Sequence, residues 1–131
     1  MSKFNPVITL CQTANFIKEA QDLVKEVTLD ELLADSIKLR AFERIMELVG
    51  ESIKRVPQDF WDAYPEIPWR KIAGMRDVIS HAYEDLAYEV LWDAVEMNFP
   101  VVLSDLERIL ADLWKIRLRA ARLRRDEKNW K

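Results

Sequence analysis

Apolar residues recur along this chain at spacings of three and four, the period of a helix with one buried face. The first stripe is Leu10, Ala14, Ile17, Ala20, Val24 and Val27. Thr28-Leu29-Asp30-Glu31 then has the form of a capping box, with Thr28 accepting from a free amide and Glu31 reaching back. It predicts the start of a long second helix whose stripe runs Leu33, Ile37, Ala41, Ile45, Leu48 and Ser52/Ile53, ending before Pro57. Pro57, Pro65 and Pro68, with Phe60, Trp61 and Tyr64 between them, mark an aromatic-pinned connection holding at most one short helical turn. A third helix is expected from about Trp69 through Met75, Val78 and Ile79. It continues or bends into a fourth, with Leu86, Val90, Ala94 and Met97 on one face, until Asn98-Phe99-Pro100 breaks the pattern. A last helix carries Leu103, Leu106, Leu110, Leu113 and Ile116 and then turns basic. The expected fold is all-α, a compact up-and-down bundle of about five helices.

Composition sharpens this picture in three places. Gly50 and Gly74 are the only glycines in 131 residues, too few for the turns of a sheet protein. Cys11 is the sole cysteine, which excludes an internal disulfide and a cysteine-based zinc site. No stretch approaches the length of a membrane span, and the N-terminal residues lack the apolar run of a signal peptide, so a cytoplasmic protein with no membrane partner is expected.

The net charge of −3 is unevenly placed. Residues 115–131 hold eight Lys/Arg against Asp126 and Glu127, a charge of +6, whereas residues 1–114 carry −9. The chain therefore reads as a domain over 1–114 followed by a basic helix end or tail over 115–131. The tail is either a solvated helix end or an arm that meets phosphates or an acidic partner.

Elimination narrows the chemistry. His81 is the only histidine, so multi-histidine metal sites and the Glu-x-x-His pairs of di-iron bundles are excluded. No glycine-rich phosphate loop is present. Glu43, Glu47 and Glu51, every four residues with Arg40 and Arg44 nearby, read as a mostly solvated helix face. What remains is Arg76-Asp77-Val78-Ile79-Ser80-His81-Ala82-Tyr83. On one straight helix Arg76 and Tyr83 lie about 20° apart, but His81 is about 140° from Arg76. A bend near His81, or the same segment from a second subunit, is needed to aim all three at one point.

This segment resembles the Arg-x4-His-x-Tyr signature of HEPN domains, and specifically of the HepT toxins that pair with minimal nucleotidyltransferase (MNT) antitoxins. Ala41 through Glu51 is similar to the family's second helix, which ends in a Gly-Glu pair. Pro65 to Trp69 and Ile72 to Arg76 resemble the approach to the signature, and Tyr88 to Trp92 and Phe99 to Leu103 the pattern after it. The resemblance covers roughly residues 10–113, with Asp77 where an asparagine is frequent; the basic end lies outside it.

The resemblance implies a metal-independent endoribonuclease that needs no cofactor, in which a ribose 2′-hydroxyl attacks the adjacent phosphate. His81 is then general base or acid and Arg76 the electrostatic clamp, tasks suited to a neutral imidazole and a permanent planar cation. With one histidine per chain, an acid–base pair of imidazoles requires a homodimer, which the family supplies. Tyr83 becomes the residue to which a cognate MNT antitoxin transfers AMP, silencing a type VII toxin–antitoxin system. Asp77 and Glu51 are possible supporting residues that orient His81 or Arg76. The competing expectation is a catalytically silent HEPN-like dimer that binds nucleotide or RNA, or docks a nucleotidyltransferase.

Overall fold

A computed structural model describes residues 4–80 and 85–129. Every regular element among them is helical: α1 (Pro6–Glu26), α2 (Leu29–Ala34), α3 (Ser36–Lys54), α4 (Gln58–Ala63), α5 (Trp69–Ala73), α6 (Met75–Ser80), α7 (Asp85–Asp93), a π-helical turn (Ala94–Asn98) and α8 (Phe99–Asn129). The all-α bundle is as the periodicity predicts. Helix α1 packs against both α3 and α8, while α3 also contacts α5 and α6.

The first stripe holds: Leu10, Ala14, Ile17 and Ala20 are buried, and Asn5 caps the helix by accepting from the Ile8 amide, with Pro6 in the first turn. Thr28 caps as expected, accepting from the Glu31 amide at 3.1 Å. The helix it opens is short, however, and this corrects the single long second helix. Asp35 accepts from the amides of Ile37 and Lys38, both at 3.1 Å, and so starts a new helix, α3. The restart changes the buried face. Phe42, Met46, Val49, Gly50 and Ile53 point inward, whereas Ile37 is 78% exposed and Ala41 also faces outward.

A buried hydroxyl pair joins α1 to α3. The Oγ atoms of Thr13 and Ser52 lie 2.7 Å apart, and each also reaches a carbonyl, Thr13 to Thr9 and Ser52 to Val49. Thr13→Val keeps the shape and removes the link, while Ser52 retains its carbonyl. A loss of about 1 kcal/mol is expected in urea unfolding; an unchanged midpoint would show that the pair contributes only geometry.

The connection after Pro57 holds α4, somewhat longer than the one turn expected. Phe60 lies against Phe4, Tyr64 and Trp69, with ring centroids 5.8, 4.8 and 6.1 Å away, and the Trp69 indole donates to the Tyr64 carbonyl at 2.9 Å. Arg108 on α8 pairs with Glu66 at 3.0 Å and ties this connection to the last helix. The Glu66 carboxyl is held below its ordinary range, first by a hydrogen bond from its own backbone amide and then by Arg108.

Asn98-Phe99-Pro100 does not end a helix. Pro100 cannot donate a backbone bond, and the chain accommodates it in one wide turn, with the Phe99 amide bonded to the Ala94 carbonyl five residues back. Residues 85–129 thus form one continuous helical run. Its core face is Leu91, Val95, Phe99, Val102, Leu106 and Ile109; Val90 and Met97, from the expected stripe, are 53% and 71% exposed.

Candidate active site

Gly50 is where the fold begins to build the site. A Cβ at this position would lie 3.2 Å from the Ile72 carbonyl, 3.4 Å from that of Ala73 and 3.5 Å from the Arg76 amide. All three are backbone atoms, so the bare α-carbon is what lets α3 approach the α5–α6 junction this closely. The next residue, Glu51, faces the start of α6. Its carboxylate stands 3.9 Å from the Arg76 guanidinium. The Gly-Glu pair therefore works as a unit, the glycine setting the approach and the glutamate meeting the arginine across it.

Glu51 is shared. Arg44, about two turns earlier on α3, lies 3.7 Å from Glu51 and 3.1 Å from Glu47. The result is an alternating row of Glu47, Arg44, Glu51 and Arg76 crossing from α3 to α6. The Glu51 side chain is 26% exposed, whereas that of Arg76 is 52% exposed. Arg76 is thus met by a half-covered carboxylate while about half of its own side chain reaches solvent. Exposed ion pairs of this length add little to stability, so the row's effect is on orientation.

Two rungs further up α3, Glu43 accepts a 2.6 Å hydrogen bond from the Tyr88 hydroxyl on α7. Both bonding groups are part-buried. The helices before and after the segment 81–84 are in this way each tied to the same acidic edge of α3, α6 through Arg76 and Glu51, α7 through Tyr88 and Glu43. This corrects the reading of Glu43, Glu47 and Glu51 as a mostly solvated face: all three are half-buried and engaged. The signal available was the i, i+4 repeat itself, but its partners, Arg76 and Tyr88, are distant in sequence.

Of the expected site residues, Arg76 and Glu51 are brought together. Asp77 is exposed on α6 beside Arg76. His81 and Tyr83 lie outside the described residues. A large concave groove, about 770 Å³, sits elsewhere, between the end of α1 and the π turn, and none of its lining residues belongs to the signature.

The model of the family described as Ribonuclease HepT-like matches residues 13–109. A candidate RNase of Methanocaldococcus jannaschii is 35% identical over 97 residues, covering 74% of this chain and 80% of its own. A candidate RNase of Caldanaerobacter subterraneus subsp. tengcongensis is 32% identical over 87 residues, 66% of this chain and 78% of its own. A Thermococcus cleftensis protein named Probable ribonuclease HepT is 34% identical over 96 residues, 73% of this chain and 87% of its own. No solved structure matches at a significant level. The matched span contains α3 with its Gly-Glu pair, the Arg-x4-His-x-Tyr segment and the helix after it, and on that basis the chain belongs to the HepT-like ribonuclease family.

Proposed function

We propose that this protein is the endoribonuclease toxin of a type VII pair, active as a homodimer without metal and silenced when an MNT antitoxin attaches AMP to Tyr83. The observation that carries the reading is the half-exposed Arg76 guanidinium, steered by Glu51 and standing five residues before the only histidine.

In the proposed reaction one imidazole takes the proton from the ribose 2′-hydroxyl as its oxygen attacks the neighbouring phosphorus. The bond from phosphorus to the 5′-oxygen breaks, and a second imidazole returns a proton to that oxygen. The products are a 2′,3′-cyclic phosphate and a free 5′-hydroxyl, so atoms and protons balance. Arg76 offsets the charge that builds on the phosphoryl oxygens, for which a planar guanidinium is suited because it can meet two of them. Each chain holds one histidine, so two imidazoles require two chains. Val90, Met97 and Val101, exposed on the helical run after the signature, offer an apolar surface for that pairing. No helix among the described residues is long and apolar enough to cross a membrane.

Control would act on Tyr83. Its hydroxyl attacks the α-phosphate of ATP, pyrophosphate leaves, and each AMP adds a phosphodiester charge of −1 and a base where RNA must enter. Co-expression with a cognate MNT protein is therefore expected to raise the intact mass by one or more AMP units, all on Tyr83, and to abolish cleavage of labelled RNA. The unmodified chain should cleave that RNA equally well in EDTA. Binding without cleavage by the unmodified dimer would favour a silent docking module. A silenced complex with unmodified Tyr83 would leave occlusion by the partner as the means of control.

A further inference from the structure

The core stripe of α8 does not stop where the bundle stops. Val102, Leu106, Ile109, Leu113, Ile116, Ala120 and Leu123 succeed one another at four, three, four, three, four and three residues, a heptad repeat sustained over three heptads. The first three are buried to within 3% and Leu113 is half-buried. Beyond that point the face opens to solvent: Ile116 is 62% and Leu123 60% exposed, with Ala120 between them half-buried. A surface helix normally keeps such a stripe only where something covers it.

The charges flanking the uncovered stripe say what could cover it. In this register the positions on either side of Ile116, Ala120 and Leu123 are Arg117, Arg119 and Arg124, with Asp112 and Asp126 closing the two ends. Flanking charges choose the partner of a paired helix. A parallel second copy would pair Asp112 with Arg117 but set Arg119 against Arg124, and an antiparallel one would set Arg117 against Arg124, so either copy leaves arginines opposed. A nucleic-acid strand would satisfy the arginines but leave the row of aliphatic residues in water. An acidic helix with its own apolar stripe satisfies both.

We propose that the C-terminal half of α8 is a docking helix for an acidic, amphipathic helix of a partner protein. The proposal rests on the exposure and register of α8 alone and stands whether or not the chain cleaves RNA.

The test uses the full chain and two synthetic helices of about three heptads, with leucine at the core positions and either glutamate or lysine at the flanks. A third probe is a 2′-O-methyl RNA of about 20 nucleotides, which lacks the attacking hydroxyl. Fluorescence anisotropy should show binding of the glutamate helix and not of the lysine helix. Ile116→Ser with Leu123→Ser should weaken it by on the order of tenfold or more. The triple change Arg117→Glu, Arg119→Glu and Arg124→Glu should switch the preference to the lysine helix, a gain that misfolding cannot mimic. Failure of the glutamate helix to bind, or binding that ignores Ile116 and Leu123, would overturn the proposal. So would RNA binding that depends on the three arginines when neither helix binds, which would make the tail a nucleic-acid arm. A drop in oligomer mass by light scattering on Ile116→Ser with Leu123→Ser would overturn it in favour of a second copy.

Discussion

His81→Ala is expected to slow RNA cleavage by about 10²–10⁴-fold, the usual contribution of a positioned general acid or base. Arg76→Ala should cost about 10²–10³-fold, comparable to removing one preorganised donor from a site of developing charge. Both proteins should keep the far-ultraviolet dichroism of the parent, because Arg76 is half-exposed and its pair with Glu51 is a surface one. Arg76→Lys separates charge from shape: an ammonium supplies the charge but cannot hold two oxygens in one plane, so only part of the activity should return. Glu51→Gln provides the complementary check, since it releases the guanidinium without removing it. Its effect should be several-fold at most and should appear with short RNAs as well as long ones. A His81→Ala protein that cleaves at the parental rate would remove the histidine from the mechanism altogether.

Gly50→Val should produce the largest effect outside the signature. The added Cβ alone would stand 3.2 Å from a backbone carbonyl, closer than an ordinary van der Waals contact, and valine adds two methyl groups beyond it. Overpacking of this kind costs about 1–3 kcal/mol. Because the obstructing atoms belong to Ile72, Ala73 and Arg76, relief can come only by pushing the α5–α6 junction away from α3. Stability and cleavage should therefore fall together, and the surviving folded fraction should itself be slow. A Gly50→Val protein with parental unfolding midpoint and parental cleavage would show that the approach of α3 to α6 is not needed. Alanine is the informative control, since it gains helix propensity of about 1 kcal/mol against the crowding of the Cβ alone.

The helices are legible wherever local chemistry alone decides them. Asn5-Pro6 and Thr28-x-x-Glu31 are start signals that require only neighbouring residues, and both operate. Asp35 is a start signal too, yet a periodic run of apolar residues across it suggests one helix, with a face turned by about one residue. Ile37 and Phe42 are both apolar, and only the packing of the other helices around α3 decides that Phe42 is the one inside. Pro100 shows the opposite error: proline ordinarily breaks a helix, but an added residue in the preceding turn lets this one pass. In the site, Arg76 is visible through its spacing from His81. The engagement of Glu43 and Glu51 is not, since their partners lie 45 and 25 positions away and depend on the approach at Gly50. Charge repeats on a helix read as solvent-facing until a second helix is laid against them.

The wide turn at Ala94–Asn98 also sets an angle. Each residue of an α-helix advances the chain by about 100°, so a turn holding one residue more than usual acts as a phase setting between α7 and α8. It keeps Leu91 and Val95 on the side where Phe99 and Val102 enter the core. Were that residue lost, either α7 would swing its apolar side out of the bundle or α8 would. The hydroxyl of Tyr88 that Glu43 accepts from would swing with α7 and break the tie to α3. The hold of α7 on the acidic edge of α3 is thus governed by a residue count in a stretch that carries no chemistry of its own.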